Sequence, residues 1–237
     1  MKLHLLTLVA SSFLIPALSV FAADTGSIVG KITLSGKAPE AKKRSADADP
    51  HCKAAHPGGV PIRNYIVAAD GGMANVFVYV KDGLAGKKFP APTTSVTLNQ
   101  EGCLYNPMVL GIQVGQTLII QNSDDTLHNV HSMSQKNREF NISQSQKGMT
   151  SKQQFAKPEV FVKFKCDVHD WMTSYAGVLD HPFFAVTKED GSFTISGLPP
   201  GDYTIEAKHP KAGEQTVKVK VAAGEVKADF KPFVVKP

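Results

Sequence analysis

Apolar and polar residues alternate along much of this chain, in short runs separated by turn-forming residues. Ile28, Ile32 and Leu34 alternate with Lys31 and Thr33, and Val76, Val78 and Val80 with Phe77 and Tyr79. Near the C-terminus Val217, Val219 and Val221 alternate with Lys218 and Lys220. A period of two puts successive side chains on opposite faces of a strand, and helical periodicity is almost absent. The pattern therefore predicts an all-β chain of sandwich strands, each with one wet face. The run from Glu159 to Cys166 places Val160, Val162, Phe164 and Cys166 on one face, so its thiol points into a core. Leu118 and Ile120 alternate with Thr117, Ile119 and Gln121 until Asn122-Ser-Asp-Asp breaks the strand ahead of His128. Asp190-Gly191 and Pro200-Gly201 mark tight turns in the tail.

Composition narrows the classes. The 237 residues are 42% hydrophobic and 20% charged, enough for a real core and unlike a disordered chain. Gly 19, Pro 15 and Cys 3 exclude a collagen-like chain and a disulfide-dense miniprotein. The opening MKLHLLTLVASSFLIPALSVFAAD places one Lys ahead of an apolar stretch and small residues, which predicts a secretory signal peptide over residues 1–22, cleaved after Ala22. No Cys lies near that site to carry a lipid, so the expectation is a secreted, periplasmic protein that meets a membrane only through the leader before cleavage. Cleavage removes Lys2 and no acidic residue, leaving 25 basic against 21 acidic side chains, or +4. The cations are dispersed except for Lys42, Lys43 and Arg44, read as a solvated loop; without interleaved aromatics they do not predict nucleic-acid binding.

The strongest chemical signal is Cys166-x2-His169-x2-Met172. A thiolate at a strand's inner end, followed by a short loop with an imidazole and a thioether, can surround one point with the soft sulfur and nitrogen donors that copper takes in both oxidation states. A second imidazole is needed, and His128 suits it better than His131, which reads as an outer or surface histidine. His51, His56, His181 and His209 read as surface or turn residues, with His51 and His56 beside Cys52 a weaker second metal candidate. An inward thiol does not suit nucleophilic catalysis, zinc prefers other spacings to a thioether, and no phosphate-binding or dinucleotide fingerprint occurs.

From about residue 95 to 181 the text resembles the cupredoxins, closest to the amicyanin and plastocyanin branch. The matching residues are Val114-Gly115, Asn122-x-Asp124, His128-Asn129-Val130 and Cys166-x2-His169-x2-Met172. The resemblance implies a Greek-key β-sandwich that binds one copper ion through His128, Cys166 and His169, with Met172 axial, and acts as a one-electron carrier, not an enzyme. It further implies a redox protein partner, such as a c-type cytochrome or an amine dehydrogenase, with His128 buried and His169 nearest the surface as the electron port. The family's loop prolines are replaced by Val168 and Asp170. Asp167 stands where a Ser or Thr is common, so an Asn129–Asp167 hydrogen bond is expected, and Trp171 is expected to cover the loop. If Cys166 holds copper, Cys52 and Cys103 are left to form a disulfide. The tail, 182–237, resembles the carboxypeptidase regulatory-like, or transthyretin-like, sandwich through Gly191, Phe193, Ile195, Leu198, Pro199, Pro200, Gly201 and Tyr203. Within residues 23–94, TGSIVGKITLSGKAPE and Ala74-Asn75-Val76 resemble that module's first strands, implying a module split around the copper domain; a plain tandem remains open. Copper delivery or storage, or a surface assembly module with incidental copper, are the alternative functions.

Overall fold

The computed structural model describes residues 25–235, so the leader expected over 1–22 lies outside the described residues. Apart from one short helix, Pro50–Ala55, the regular structure is β. No helix among the described residues is long and apolar enough to cross a membrane.

Strands from both ends of the chain build one sandwich. Gly26–Lys31 lies between Ser192–Leu198, antiparallel, and Gly224–Lys227, parallel. The facing sheet orders Phe184–Val186, Phe77–Asp82, Gly201–His209 and Gly213–Val221. Ile28, Val78, Ile195 and Ile205 from the two sheets share one buried cluster. Lys218 and Lys220 remain on the wet face while Val219 and Val221 are buried, as the alternation requires.

The middle of the chain forms a second sandwich. Its five-stranded sheet orders Asn141–Gln144, His128–Met133, Glu159–Lys165, Thr173–Leu179 and Val109–Gln113. Its four-stranded sheet orders Thr150–Gln153, Leu118–Asn122, Val96–Glu101 and Leu104–Asn106. Leu98, Ile112, Leu118, Ile120, Val162 and Phe164 fill the space between.

Two local expectations change. Phe77–Asp82 has no wet face along its first four residues, because Phe77 and Tyr79 pack against Met108, Val109 and Leu179 of the second sandwich. Glycines permit that approach: a Cβ on Gly177 would lie 2.2 Å from the Phe77 ring, and one on Gly111 2.1 Å from Phe184. Val160 leaves the inner face shared by Val162, Phe164 and Cys166, since the ladder slips between Val160 and Val162, where Phe161 takes φ +59°. The irregularity turns Phe161 toward Tyr175, at a ring separation of 5.5 Å, and joins both residues to the inter-sandwich cluster.

Residues 43–61 form a cover. Lys43–Arg44 pairs with Val60–Pro61 around the helix, whose N-cap Asp49 accepts a bond from Cys52 N at 3.0 Å, with Pro50 in the first turn. A disulfide between Cys52 and Cys103 fastens this segment to the second sandwich. His56 Nε2 donates to the Gly102 carbonyl at 2.7 Å beside it. His181 and His209 are not surface residues. Both are buried, and their Nδ1 atoms accept backbone N–H bonds, from Phe183 for His181 and from Lys211 and Ala212 for His209.

Candidate metal centre

Cys166 follows the strand Glu159–Lys165, and the loop after it closes tightly. Cys166 N donates to the Met172 carbonyl at 3.2 Å, and Met172 N to the His169 carbonyl at 3.0 Å. The closure turns the His169 backbone N–H onto Cys166 Sγ at 3.4 Å. His128 begins the adjacent strand, so its side chain meets the same loop. The His128 and His169 Nδ1 atoms face one another at 3.0 Å, Cys166 Sγ is 4.0 Å from His169 Nδ1, and the donor atoms of all three residues lie within 4.8 Å of one another. All three are buried, and Met172 is fully buried in the same cluster as Cys166.

The outer nitrogens explain why the inner ones converge. His128 Nε2 donates to Asp124 Oδ2 at 2.9 Å, and His169 Nε2 to Asp49 Oδ2 at 3.3 Å. A neutral imidazole carries one N–H. With Nε2 as the donor on each ring, two Nδ1 lone pairs point at each other beside a sulfur. Such a pair needs a proton or a cation between its members. Metal bonds of about 2.0–2.1 Å to nitrogen and about 2.3 Å to sulfur, lengths measured for zinc, place two nitrogens roughly 3–3.5 Å apart and nitrogen and sulfur roughly 3.5–4 Å apart. The residues present fit a first-row metal with mixed sulfur and nitrogen preference.

Electrostatics act in the same direction. Burial pushes the Cys166 thiol up, but bonds from His128, His169 and the loop outweigh it and bring it down to about 6. Burial also disfavours charge on His128, yet Asp124 and Cys166 raise it to about 8. The Asp124 carboxyl, though partly desolvated, is held well below the usual range by His128 and by the N–H groups of Cys103 and Gly102, each at 2.7 Å. Its Oδ1 also accepts from His51 Nε2 at 3.2 Å, so His51 positions a carboxylate and, with His56 on the Gly102 carbonyl, forms no separate metal pair.

The expected outer residues take defined places. Asn129 Nδ2 donates to Asp167 Oδ2 at 3.0 Å, and Asn129 Oδ1 accepts from Asp167 N at 2.8 Å and faces Cys166 Sγ at 3.2 Å. His131 Nδ1 meets Asp167 Oδ2 at 3.0 Å, a supporting contact outside the donor cluster. The Trp171 ring lies 5.1 Å from the His169 ring, and its Nε1 donates to the Cys103 carbonyl at 2.9 Å.

No donor of the cluster is more exposed than His169, while His128 is fully buried, yet His169 is not open to solvent as a surface port would be. It is 3% exposed, because Asp49 and the Cys52 sulfur, 3.6 Å from its Nε2, close over it. Sequence reading also missed Asp49 and the acceptor role of Asp124. Asp124 stood within the Asn122-x-Asp124 text, but Asp49 lies in a polar segment 120 residues from His169 with no local signal.

Fold and site together define a class: an all-β protein of two sandwiches with a buried histidine–cysteine cluster under a disulfide-fastened cover. Residues 178–236 match the family described as ER membrane protein complex subunit 7, beta-sandwich domain. No curated protein sequence matches the chain. Among solved structures, a Cu-containing nitrite reductase (NirK) from Thermus scotoductus SA-01 aligns at 24% identity and TM-score 0.35, over 41% of this chain and 25% of that one. A purple cupredoxin from Nitrosopumilus maritimus aligns at 22% identity and TM-score 0.31, over 35% and 99%. The Cu(I) form of an amicyanin variant aligns at 16% and 0.33, over 44% and 98%. The chain thus spans about a quarter of the nitrite reductase.

Proposed function

We propose that this protein is an exported, non-enzymatic carrier of single electrons that holds one copper ion in the buried cluster. The observation that carries the reading is the convergence of two facing Nδ1 atoms, 3.0 Å apart, and one buried thiol on a single point. His128, Cys166 and His169 would hold the ion, with the Met172 thioether as the fourth donor. Copper supplies an exchange between Cu(II) and Cu(I). The chain supplies the rest. Asp124 and Asp49 fix the tautomer and tilt of both imidazoles, as outer carboxylates do for metal-bound histidines. The His169 N–H bonds to the sulfur and stabilises its negative charge. The cover over His169 keeps water and exchangeable ligands away, so the same donors serve both oxidation states with little rearrangement. An outside redox protein in the periplasm, a c-type cytochrome or an amine dehydrogenase, would then be the exchange partner.

The test is the visible and electron paramagnetic resonance spectrum after one equivalent of Cu(II), for the protein and for Cys166→Ser. An intense thiolate-to-copper band that bleaches with reductant, returns with oxidant and vanishes in Cys166→Ser supports the reading. A pale spectrum, or colour that survives the substitution, ends it.

A further inference from the structure

Closure of His169 on its Nε2 side moves the question to where electrons would enter. Trp171 answers it: one part of the indole is in ring contact with His169, and another lines a surface cleft of about 390 Å³. The cleft gathers cations that are far apart in the chain: Lys42, Lys43 and Arg44 from the cover, Arg63 beyond it, Lys163 from the central strand and Lys211 from the turn before Gly213–Val221. The run read from sequence as a solvated loop is one wall of this basic concavity.

The positive charge is poorly compensated. Asp170 is the only acidic side chain lining the cleft, and it reaches only Arg44, at 3.7 Å. Among the described residues, no ion pair involves Lys42, Lys43, Lys163 or Lys211. Arg63 is half-buried and spends its guanidinium on neutral acceptors, the Tyr105 carbonyl at 3.0 Å and Asn106 Oδ1 at 3.5 Å. A partly desolvated cation without a counter-charge is costly and is relieved by an incoming anion.

We propose that this cleft docks the acidic face of the redox partner and that Trp171 is the doorway through which the electron passes to or from His169. The proposal rests on the electron-carrier reading above. Its chemistry is complementary charge: carboxylates of the partner fill the concavity, and steering by the focused positive field sets the association rate. Electronic coupling falls steeply with distance, so the aromatic side chain in contact with both the cleft and the buried imidazole is the most direct conjugated route between them. The competing entrance is the pair of exposed apolar residues Leu127 and Val168, each one residue before a histidine of the cluster.

Two measurements separate these cases and separate the cleft from the copper reading. In the first, the ¹⁵N-labelled, metal-free protein is titrated with hexaglutamate, and with hexalysine as control. Hexaglutamate is expected to shift the signals of residues 42–44, Arg63, Lys163 and the Trp171 indole N–H, and the double variant Lys43→Glu/Lys163→Glu to abolish the response. Shifts spread evenly over the lysines of the whole protein, shifts centred on Leu127 and Val168, or no shifts would overturn the proposal. In the second, the reduced copper-loaded protein gives one electron to hexacyanoferrate(III), forming hexacyanoferrate(II), or to tris(phenanthroline)cobalt(III), forming the cobalt(II) complex. The double variant should slow the anionic oxidant about tenfold or more at low ionic strength, with the difference collapsing in high salt, and should not slow the cationic one. Lys218→Glu/Lys220→Glu, on the strand Gly213–Val221 and outside the lining of the cleft, should match the parent protein. Equal slowing by the two double variants would overturn docking at the cleft. If neither oxidant reacts with the loaded protein, the electron-carrier reading fails, while the titration still decides whether the cleft takes an acidic partner.

Discussion

Asp124→Asn is the sharpest probe of how the cluster is held. The carboxylate accepts four bonds: Oδ1 from Gly102 N at 2.7 Å and His51 Nε2 at 3.2 Å, and Oδ2 from Cys103 N at 2.7 Å and His128 Nε2 at 2.9 Å. An amide of the same shape keeps one oxygen and replaces the other by a donor. Whichever way it turns, one backbone N–H loses its acceptor and faces an N–H₂ group, a buried unsatisfied donor costing about 1–3 kcal/mol. If the amide nitrogen turns toward His128, the imidazole must instead present a lone pair at Nε2 and a proton at Nδ1, which removes a metal donor. If it turns toward Gly102, His128 keeps a neutral and weaker acceptor. Both outcomes lower metal affinity, and loss of an outer partner of a ligating histidine costs roughly 10–100-fold. The assay is chelator competition for Cu(II), paired with urea denaturation of the metal-free protein. The expectation is a metal-free protein less stable by about 2 kcal/mol and an affinity at least tenfold lower. Unchanged affinity alongside the stability loss would show that Asp124 only ties the 102–103 turn, and the tautomer argument for the cluster would fall.

Three further outcomes follow from the packing. Burial, with Lys211 nearby, holds His209 at about 4 against an ordinary value of 6.5, so the unfolded chain binds more protons between these values. The corresponding stability, up to about 3 kcal/mol, is complete above pH 6.5 and is lost as pH falls toward 4; a urea series in which His209→Asn leaves that slope unchanged contradicts it. Gly177→Ala drives a methyl into the Phe77 ring and should cost about 1–3 kcal/mol by overpacking, with Phe77→Leu in the same chain recovering part of it; strict additivity of the two in thermal unfolding would deny the contact. Cys52→Ala/Cys103→Ala opens a span of 51 residues, worth about 4 kcal/mol in the chain-entropy account, and should speed copper loss to a chelator; release at the parent rate would mean that the cover does not close the centre.

What could be read from the sequence depended on how local its cause was. The buried faces of 118–120, 162–166 and 219–221 were legible because one apolar core meets one face of each strand. Phe77 and Tyr79 were not, since the residues that cover them belong to a different sandwich and leave no mark on period two. The slip at Phe161 depends on a backbone conformation that nothing in Val160-Phe161-Val162 announces. Cys166, His169 and Met172 sit in one closed loop, so their spacing alone shows that they can converge, and the strand break at Asn122 brought His128 into consideration. The closure of His169 was invisible because Asp49 and Cys52 reach it from a polar segment well over a hundred residues away.

That closure bears on which chemistry the site would support if it holds copper as proposed. A protein that hands a metal ion to an acceptor must let an incoming ligand reach a donor position, such as that of the loop histidine, His169. Here the outer nitrogen of that histidine is engaged by Asp49, with a sulfur of the Cys52–Cys103 bridge beside it, while Asp49 is itself held by Thr126 Oγ1 at 2.6 Å and by the helix it caps. Transfer of the ion would require moving a segment that is bonded covalently to the sandwich beneath it. Transfer of an electron requires no such movement, and Trp171 is in ring contact with the buried imidazole on the route proposed above. If the cluster holds copper as proposed, a closed cover is expected to hinder exchange of the metal more than exchange of an electron for as long as the disulfide is intact.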